Sequence, residues 1–414
     1  GAAYVHTGAK LTLTNATLDS NTTKKYGGAL QVNGGTLTVS GGSFTKNTAD
    51  THGAAMYLYG ATANVSGASV SNNESTWQGV IYIGNGGTLT FENITAQSNK
   101  ANQGGVFCLV DNPTVTIKNL NASGNTAKDM GGVMYQYAWG GKVDISGSTF
   151  TANNAANKGG AIWVGAKSPV TITGGSFTGN TSKVGGALFL DTSLFSGNGS
   201  SANVTITGGT VFDGNQATGG DGGAIHIADS TSAGTYATSL TMNGVTLKNN
   251  KASGKGGALA TDAASPNLVI KATNCTFNAN ESGYGGSSGS GGGGAIEIQN
   301  GNSFGNGDPG SLKIVFTNCT FTGNLGDGTG GAIDIRSGSD EEKLEALITK
   351  INDLKEQVGI KRTIRDYGID EQEFLARLDD MTEQAFDDQC TGANPRYPLM
   401  KEIKQMYLNA YYGR

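Results

Sequence analysis

The sequence predicts an all-β parallel β-helix of about 12 coils, followed by a small α-helical C-terminal segment. Three observations lead there: a phrase of about 26 residues recurring in phase, period-two alternation inside each recurrence, and a complete change of composition near residue 336. The phrase can be read in FTANNAANKGGAIWV (150–164), FTGNTSKVGGALFL (177–190) and FTGNLGDGTGGAIDI (321–335).

Two registers keep step along the chain. The position that follows GGA plus an aliphatic residue falls at Tyr4, Gln31, Tyr57, Tyr82, Cys108, Tyr135, Trp163, Phe189, His226, Ala260, Glu297 and Asp334, spaced 25–28 residues apart and later 34–37. The asparagine closing F-x-x-N falls at Asn21, Asn47, Asn73, Asn99, Asn125, Asn153, Asn180, Asn215, Asn250, Asn280 and Asn324. Between them lies an alternating run such as TLTV (36–39) or VTIT (170–173). Each of these three elements alternates apolar and polar residues, the mark of a strand, and none carries the 3.6-residue period of a helix. Three short strands per unit make one coil, and a coil buries its inward residues only by stacking on its neighbours. Twelve coils at about 4.8 Å give a rod of about 55 Å.

The spacing places Leu188, Leu190, Val170, Ile172 and Phe177 inward. Paired glycines such as Gly159-Gly160 and Gly185-Gly186 fall where the chain must bend sharply, with φ > 0 expected. The asparagines are expected in left-handed turns, stacked as a hydrogen-bonded ladder that is structural rather than functional. The longer late coils carry inserted segments, including TGGDGG (218–223), ADSTSAGTYATS (228–239) and SGYGGSSGSGGGG (282–294). These read either as tolerated turns or as one loop-bearing face.

Composition narrows the function. Glycine contributes 67 residues and proline 6, without a G-X-Y period, which excludes collagen. Only 15% of residues are charged and the net charge is −5, so no basic footprint for nucleic acid exists. No apolar run is long enough to span a membrane. The opening GAAYV reads as the middle of a repeat, so the sequence is expected to be a segment of something longer. Of the four cysteines, Cys108, Cys275, Cys319 and Cys390, two recur as NCTF in successive coils; two stacked free thiols are expected at Cys275 and Cys319 rather than a disulfide.

The candidate contact surface is the outward column of the GGA strand, where Tyr57, Tyr82, Tyr135, Trp163 and Phe189 share one position, interrupted by Cys108. Exposed rings in a column suit sugar rings of a polysaccharide or the surface of a host or neighbouring protein. Alternatively, like side chains in a ladder simply stabilise the sheet. Farther along, His226, Ala260, Glu297 and Asp334 make the column polar; Glu297 and Asp334 as neighbours raise the reading of a polysaccharide lyase or hydrolase. No Arg or Lys cluster accompanies them, and the ladder reading is preferred. The T-x-T runs lack the unbroken array of an ice-binding face because Asn64, Lys142 and Asp144 interrupt them. The Gly-rich loops lack the GK[ST] of a phosphate cradle. No catalytic residue, metal site or cofactor is expected.

The alternating GGA[ILV] and F-x-x-N phrases resemble the repeats of chlamydial polymorphic outer-membrane proteins and related bacterial surface adhesins, over residues 1–336. That resemblance implies a right-handed β-helix displayed extracellularly or at the cell surface, with adhesion as its usual role. In this sequence a different segment stands where those proteins carry a membrane barrel.

After a junction at 337–339, residues 340–414 contain 16 acidic and 11 basic residues and four glycines. SDEEKLEALITKINDLKEQVG predicts a helix capped by Ser339 and Glu342, with Leu344, Leu347, Ile348, Ile351 and Leu354 on its apolar stripe. Asp370 with Glu373 opens a second helix through Phe374, Leu375, Leu378 and Phe386. Pro398 opens a third with Met400, Ile403, Met406 and Tyr407. The run DDQCTGANPRYPLMKEIKQMYLNAYYG (387–413) resembles the C-terminal end of bacterial bifunctional aldehyde-alcohol dehydrogenases. The resemblance implies cytoplasmic, NAD- and iron-dependent relatives whose iron ligands, one Asp and three His, lie upstream of this end. Here all three histidines, His6, His52 and His226, lie in the repeats, so the tail is expected to be an inactive remnant. A non-enzymatic, adhesin-like module joined to that remnant is the reading carried forward; a carbohydrate-active β-helix and a dehydrogenase fragment are its rivals.

Overall fold

The computed structural model describes residues 1–137, 139, 141–165, 168–191, 202–228, 238–262, 268–285, 292–299, 313–327, 330–336, 359–388 and 398–413. The chain forms two compact units, Gly1–Ser337 and Gly338–Arg414.

The first unit is a parallel β-solenoid. Its strands join four parallel sheets, one of 12 strands and three of 11, each sheet taking every fourth strand in chain order. One coil runs Ile162–Val164, Ser168–Thr173, Ser176–Thr178 and Thr181–Ser182 before Leu188–Asp191 starts the next. Among the described residues the strands account for eleven coils and the opening strand of a twelfth. Each coil holds four strands where the sequence pattern showed three. The fourth lies just after the ladder asparagine and in most coils has two residues, as at Thr48–Ala49, too few to display a period; it lengthens at Lys100–Gln103 and Thr126–Met130.

Inward residues meet their counterparts one coil away. Leu188, Leu190, Val170, Ile172 and Phe177 are all buried, as their alternation predicts. Phe177 stacks between Phe150 at 4.5 Å and Phe212 at 4.6 Å. The core is one continuous apolar column because parallel, in-register pairing repeats the same face at every rung.

The asparagine ladder holds the turns. Asn125 donates from its backbone N to Asn153 Oδ1 at 3.0 Å and from Nδ2 to the same oxygen at 2.9 Å. Its Nδ2 also reaches Ala96 O at 2.9 Å, and its own Oδ1 accepts the equivalent pair from Asn99. The pattern runs from Asn21 to Asn324. One expectation is corrected. The left-handed residue is the one before each ladder asparagine, for example Ser20, Lys46, Asn72, Ser98 and Ala152 with φ of 51–58°. A left-handed residue there reverses the chain and leaves the amide pointing along the axis, where it can serve two coils.

The glycine pair divides its work. Gly159 has φ 65°, the expected left-handed bend. Gly160 is required for a different reason: a Cβ there would lie 2.1 Å from Gly186 O in the next coil.

In the second unit, the helix expected over 340–358 lies outside the described residues. The other two form, at Glu371–Asp387 and Met400–Tyr412, with a 3-10 turn at Arg365–Tyr367. Asp370 caps the first by accepting from Gln372 N and Glu373 N. Phe374, Leu378, Ile403 and Tyr411 are buried, Phe374 and Tyr411 stacking at 4.2 Å. Leu375, Met400 and Met406, assigned to the apolar stripes, are exposed instead; Tyr411, one turn beyond Tyr407, supplies the contact with Phe374.

Candidate functional site

The outward column of the GGA sheet pairs in register from Tyr4 through Tyr57, Tyr82, Cys108, Tyr135, Trp163, Phe189 and His226 to Glu297 and Asp334. The five aromatic residues singled out by sequence do share this column, but they do not share an environment. Tyr135, Trp163 and Phe189 are 2%, 0% and 1% exposed, whereas Tyr57 and Tyr82 are half-buried.

The expectation of an exposed five-ring surface is therefore corrected. Rungs about 4.8 Å apart make neighbouring rings lie face on face, so each covers the next. Tyr135 and Trp163 stack at 4.5 Å. Val110, Met130, Tyr137, Val184 and Ala228 pack around them, forming a second apolar cluster outside the solenoid core. Lys158 closes over Phe189, its Nζ 4.7 Å from the ring centroid and 2.9 Å from the buried Asp191 carboxylate.

At the other end the column opens into a wider aromatic edge. Tyr57 stacks on Tyr26 at 4.6 Å and on Tyr82 at 4.9 Å, while His52 stacks on Tyr82 at 4.9 Å. Tyr59 lies beside Tyr57 at 6.1 Å. Tyr26, Tyr4 and Trp77 are exposed. Sequence reasoning missed Tyr26 and His52, which pair through isolated bridges, Tyr26 to His52 to Gln78. The signal was available: each immediately precedes the first glycine of a bend, at Gly27, Gly53 and Gly79.

Stacking sets the chemistry of this edge. Ring faces are covered by neighbours, so the rings offer their edges and hydroxyls outward. Burial, with Tyr26 next in effect, pushes the Tyr57 phenol up to about 12. Burial also raises Tyr82 and lowers His52. Near neutral pH these groups are uncharged hydrogen-bonding groups set in aromatic surface.

The polar end is tied up in local pairs. His226 stacks on Phe189 at 5.0 Å and places Nε2 3.1 Å from Asp262 Oδ1. Burial, the largest single influence, pushes the Asp262 carboxyl up, but the hydrogen bond with His226 and the charge interactions with His226 and Lys158 together hold the group below its ordinary value. Glu297 is buried, accepts from Gly293 N at 3.1 Å and lies 3.9 Å from Lys255 Nζ. Glu297 and Asp334 are register partners, as expected, and His226 is two rungs from Glu297. Among the described residues, no group of three or more His, Cys, Asp or Glu could hold a metal ion. Cys275 and Cys319 are both free thiols.

With this geometry established, comparisons place each unit. The Chlamydia polymorphic membrane protein repeat matches residues 244–262 and 318–336. Both matched segments begin at a left-handed residue, Gly244 or Asn318, and run through the Phe-type strand, the ladder asparagine and the two-residue strand to the GGA strand. The family repeat is therefore three sides of one coil. The Fe-containing alcohol dehydrogenase family, C-terminal, matches residues 328–411. Over 72 residues the chain is 54% identical to the bifunctional aldehyde-alcohol dehydrogenase of Escherichia coli K12, covering 17% of this chain and 8% of that enzyme. It is 52% identical over 73 residues to the aldehyde-alcohol dehydrogenase of Clostridium acetobutylicum, covering 18% and 8%. Against the NADPH-dependent butanol dehydrogenase of Clostridium saccharobutylicum it is 39% identical over 75 residues, covering 18% and 19%. The chain thus spans less than a fifth of the length of these relatives. Residues 340–414 contain no histidine, so their donor set does not fit an iron site of the kind the resemblance implies. No helix among the described residues is long and apolar enough to cross a membrane.

Proposed function

We propose that residues 1–336 are a non-enzymatic, adhesin-like β-helix module of a bacterial surface or secreted protein, and that residues 340–414 are a dehydrogenase-derived tail without catalysis. The observation that supports adhesion most directly is the aromatic edge of the first coils, Tyr4, Tyr26, Tyr57, Tyr59 and Tyr82, with Trp77 nearby. It offers phenol hydroxyls and ring edges without charge, a surface suited to the hydroxyl-rich face of a polysaccharide, with a host or neighbouring protein surface as the other partner class. The original five-residue column is narrowed to Tyr57 and Tyr82 as contact residues, and Tyr135, Trp163 and Phe189 become their packed support.

The test is retention of the full chain on immobilised neutral polysaccharides and on surface-protein arrays, alongside a Tyr57→Ala, Tyr82→Ala double variant. Retention lost by the double variant, with no release of shortened glycan, supports the reading. Chain-dependent depolymerisation would favour a lyase or hydrolase instead. NAD(P)-linked alcohol oxidation by the chain supplied with ferrous iron would overturn the assignment of the tail.

A further inference from the structure

Cys275 and Cys319 hold the same place in successive coils, just before strands paired as Thr276 with Thr320. Thr320 N donates to Cys275 O at 2.9 Å. The preceding asparagines, Asn274 and Asn318, join side chain to side chain at 3.4 Å. In-register parallel neighbours have Cα atoms about 4.8 Å apart, inside the span of about 4.4–6.8 Å that a disulfide bridges. Both sulfurs also converge on one stretch of backbone. Cys275 Sγ donates to Thr273 O at 3.3 Å, and Cys319 Sγ reaches back across the rung to Ala272 O at 3.3 Å.

We propose that Cys275 and Cys319 form a thiol-oxidation site that cross-links the last two coils, with a small external disulfide such as oxidised glutathione as co-reactant. Cys319 is partly exposed and Cys275 is 1% exposed, so the order of events follows from access. The Cys319 thiolate attacks the external disulfide, forming a mixed disulfide and releasing one glutathione thiolate. The Cys275 thiolate then attacks the Cys319 sulfur and expels the second. One external disulfide is reduced to two thiols, the two protein thiols are oxidised to one disulfide, and their protons pass to the departing thiolates. Burial pushes the Cys275 thiol up, so this second step quickens as pH rises.

The cross-link falls in a coil whose apolar residues are poorly covered. Phe321 is only partly buried against the fully buried Phe277 on which it stacks at 4.7 Å. Val315 and Leu325 in the same coil are 47% and 59% exposed. Such an edge opens before the interior does, and a covalent link to the coil beneath restrains it.

The experiment uses the full chain with oxidised glutathione, followed by non-reducing peptide mass analysis and amide hydrogen exchange. The expected result is a peptide joining residues 275 and 319 that vanishes on reduction. Exchange over Lys313–Thr317 and Thr320–Thr322 should slow by about tenfold or more when linked. A Cys275→Ser variant should retain glutathione on Cys319; a Cys319→Ser variant should acquire neither link nor adduct at Cys275. A glutathione adduct on Cys319 that persists equally in the unmodified chain and in Cys275→Ser would overturn the proposal. So would the absence of any 275–319 peptide after prolonged oxidation.

Discussion

Two columns run the length of this solenoid with one residue per coil, and they obey opposite rules. The ladder position is asparagine from Asn21 to Asn324 without exception, while the outward GGA position passes through Tyr, Gln, Cys, Trp, Phe, His, Ala, Glu and Asp. The difference is a backbone demand. Each ladder amide must accept from a neighbouring backbone N–H and donate to a carbonyl in the coil before, as Asn125 does with Asn99 and Ala96. Only a side chain with both capacities at that reach serves. No comparable demand fixes the outward position, which leaves it free to carry packing in one stretch and contact chemistry in another.

Replacing a ladder residue should therefore do the most damage. Asn125→Ala leaves the buried Asn99 backbone N–H and one Asn99 amide hydrogen without an acceptor, and Ala96 O without its donor. A loss of about 4 kcal/mol is expected from these orphaned groups. The denaturation midpoint in urea measures it, and a loss below about 1 kcal/mol would show that the ladder is ornament rather than support.

Trp163→Ala sharpens the contrast from the other column. Trp163 is fully buried between Tyr135 and its register partner Phe189, so the cost should approach that of a core truncation, about 3 kcal/mol. An exposed binding ring would cost no more than about 0.5 kcal/mol. The same unfolding experiment separates the two.

These columns also show what the sequence could and could not reveal. The parallel stack, the inward faces and the ladder were legible because in-register pairing repeats one environment every coil, so the sequence repeats with it. The short strand after the asparagine was not, since in most coils it has only two residues, which cannot show a period. The burial of Tyr135, Trp163 and Phe189 was also hidden. Alternation identifies which side of the strand a residue takes, but not whether Met130, Tyr137, Val184 and Lys158 will close over that side. Tyr26 and His52 escaped for a related reason: they lie in the bend before the glycines, where no strand alternation draws attention to them. In the tail, the capping at Asp370 was legible from local chemistry, whereas the exposure of Met400 and Met406 depends on tertiary packing.

The phenols give the columns different responses to alkali. Tyr57 ionises near 10 when unfolded and at about 12 when folded, so the neutral form is favoured by folding. Its contribution is fully present below the unfolded value and declines as pH rises between these two values, because the unfolded chain releases its proton first. The ladder amides do not titrate. Urea midpoints measured from neutral pH through pH about 12 should fall over that window, and Tyr57→Phe should flatten part of the fall. A profile unchanged by Tyr57→Phe would place the titrating groups elsewhere.

The smallest effect on stability should still be joined to a measurable effect on binding. Tyr26 is 38% exposed and covers one face of Tyr57 without entering either apolar cluster. Tyr26→Ala should cost only about 0.5–1 kcal/mol in stability, since it removes one stacked contact at a wet edge. It should nevertheless weaken retention on the bound polysaccharide or surface protein, because it bares one face of Tyr57 and removes a hydroxyl from the edge. Retention and urea midpoint measured on the same variant decide the matter. If retention is unchanged while Tyr57→Ala abolishes it, contact is confined to the outward strand column. If neither variant affects retention, the aromatic edge is a stabilising ladder and adhesion must reside on another face of the solenoid.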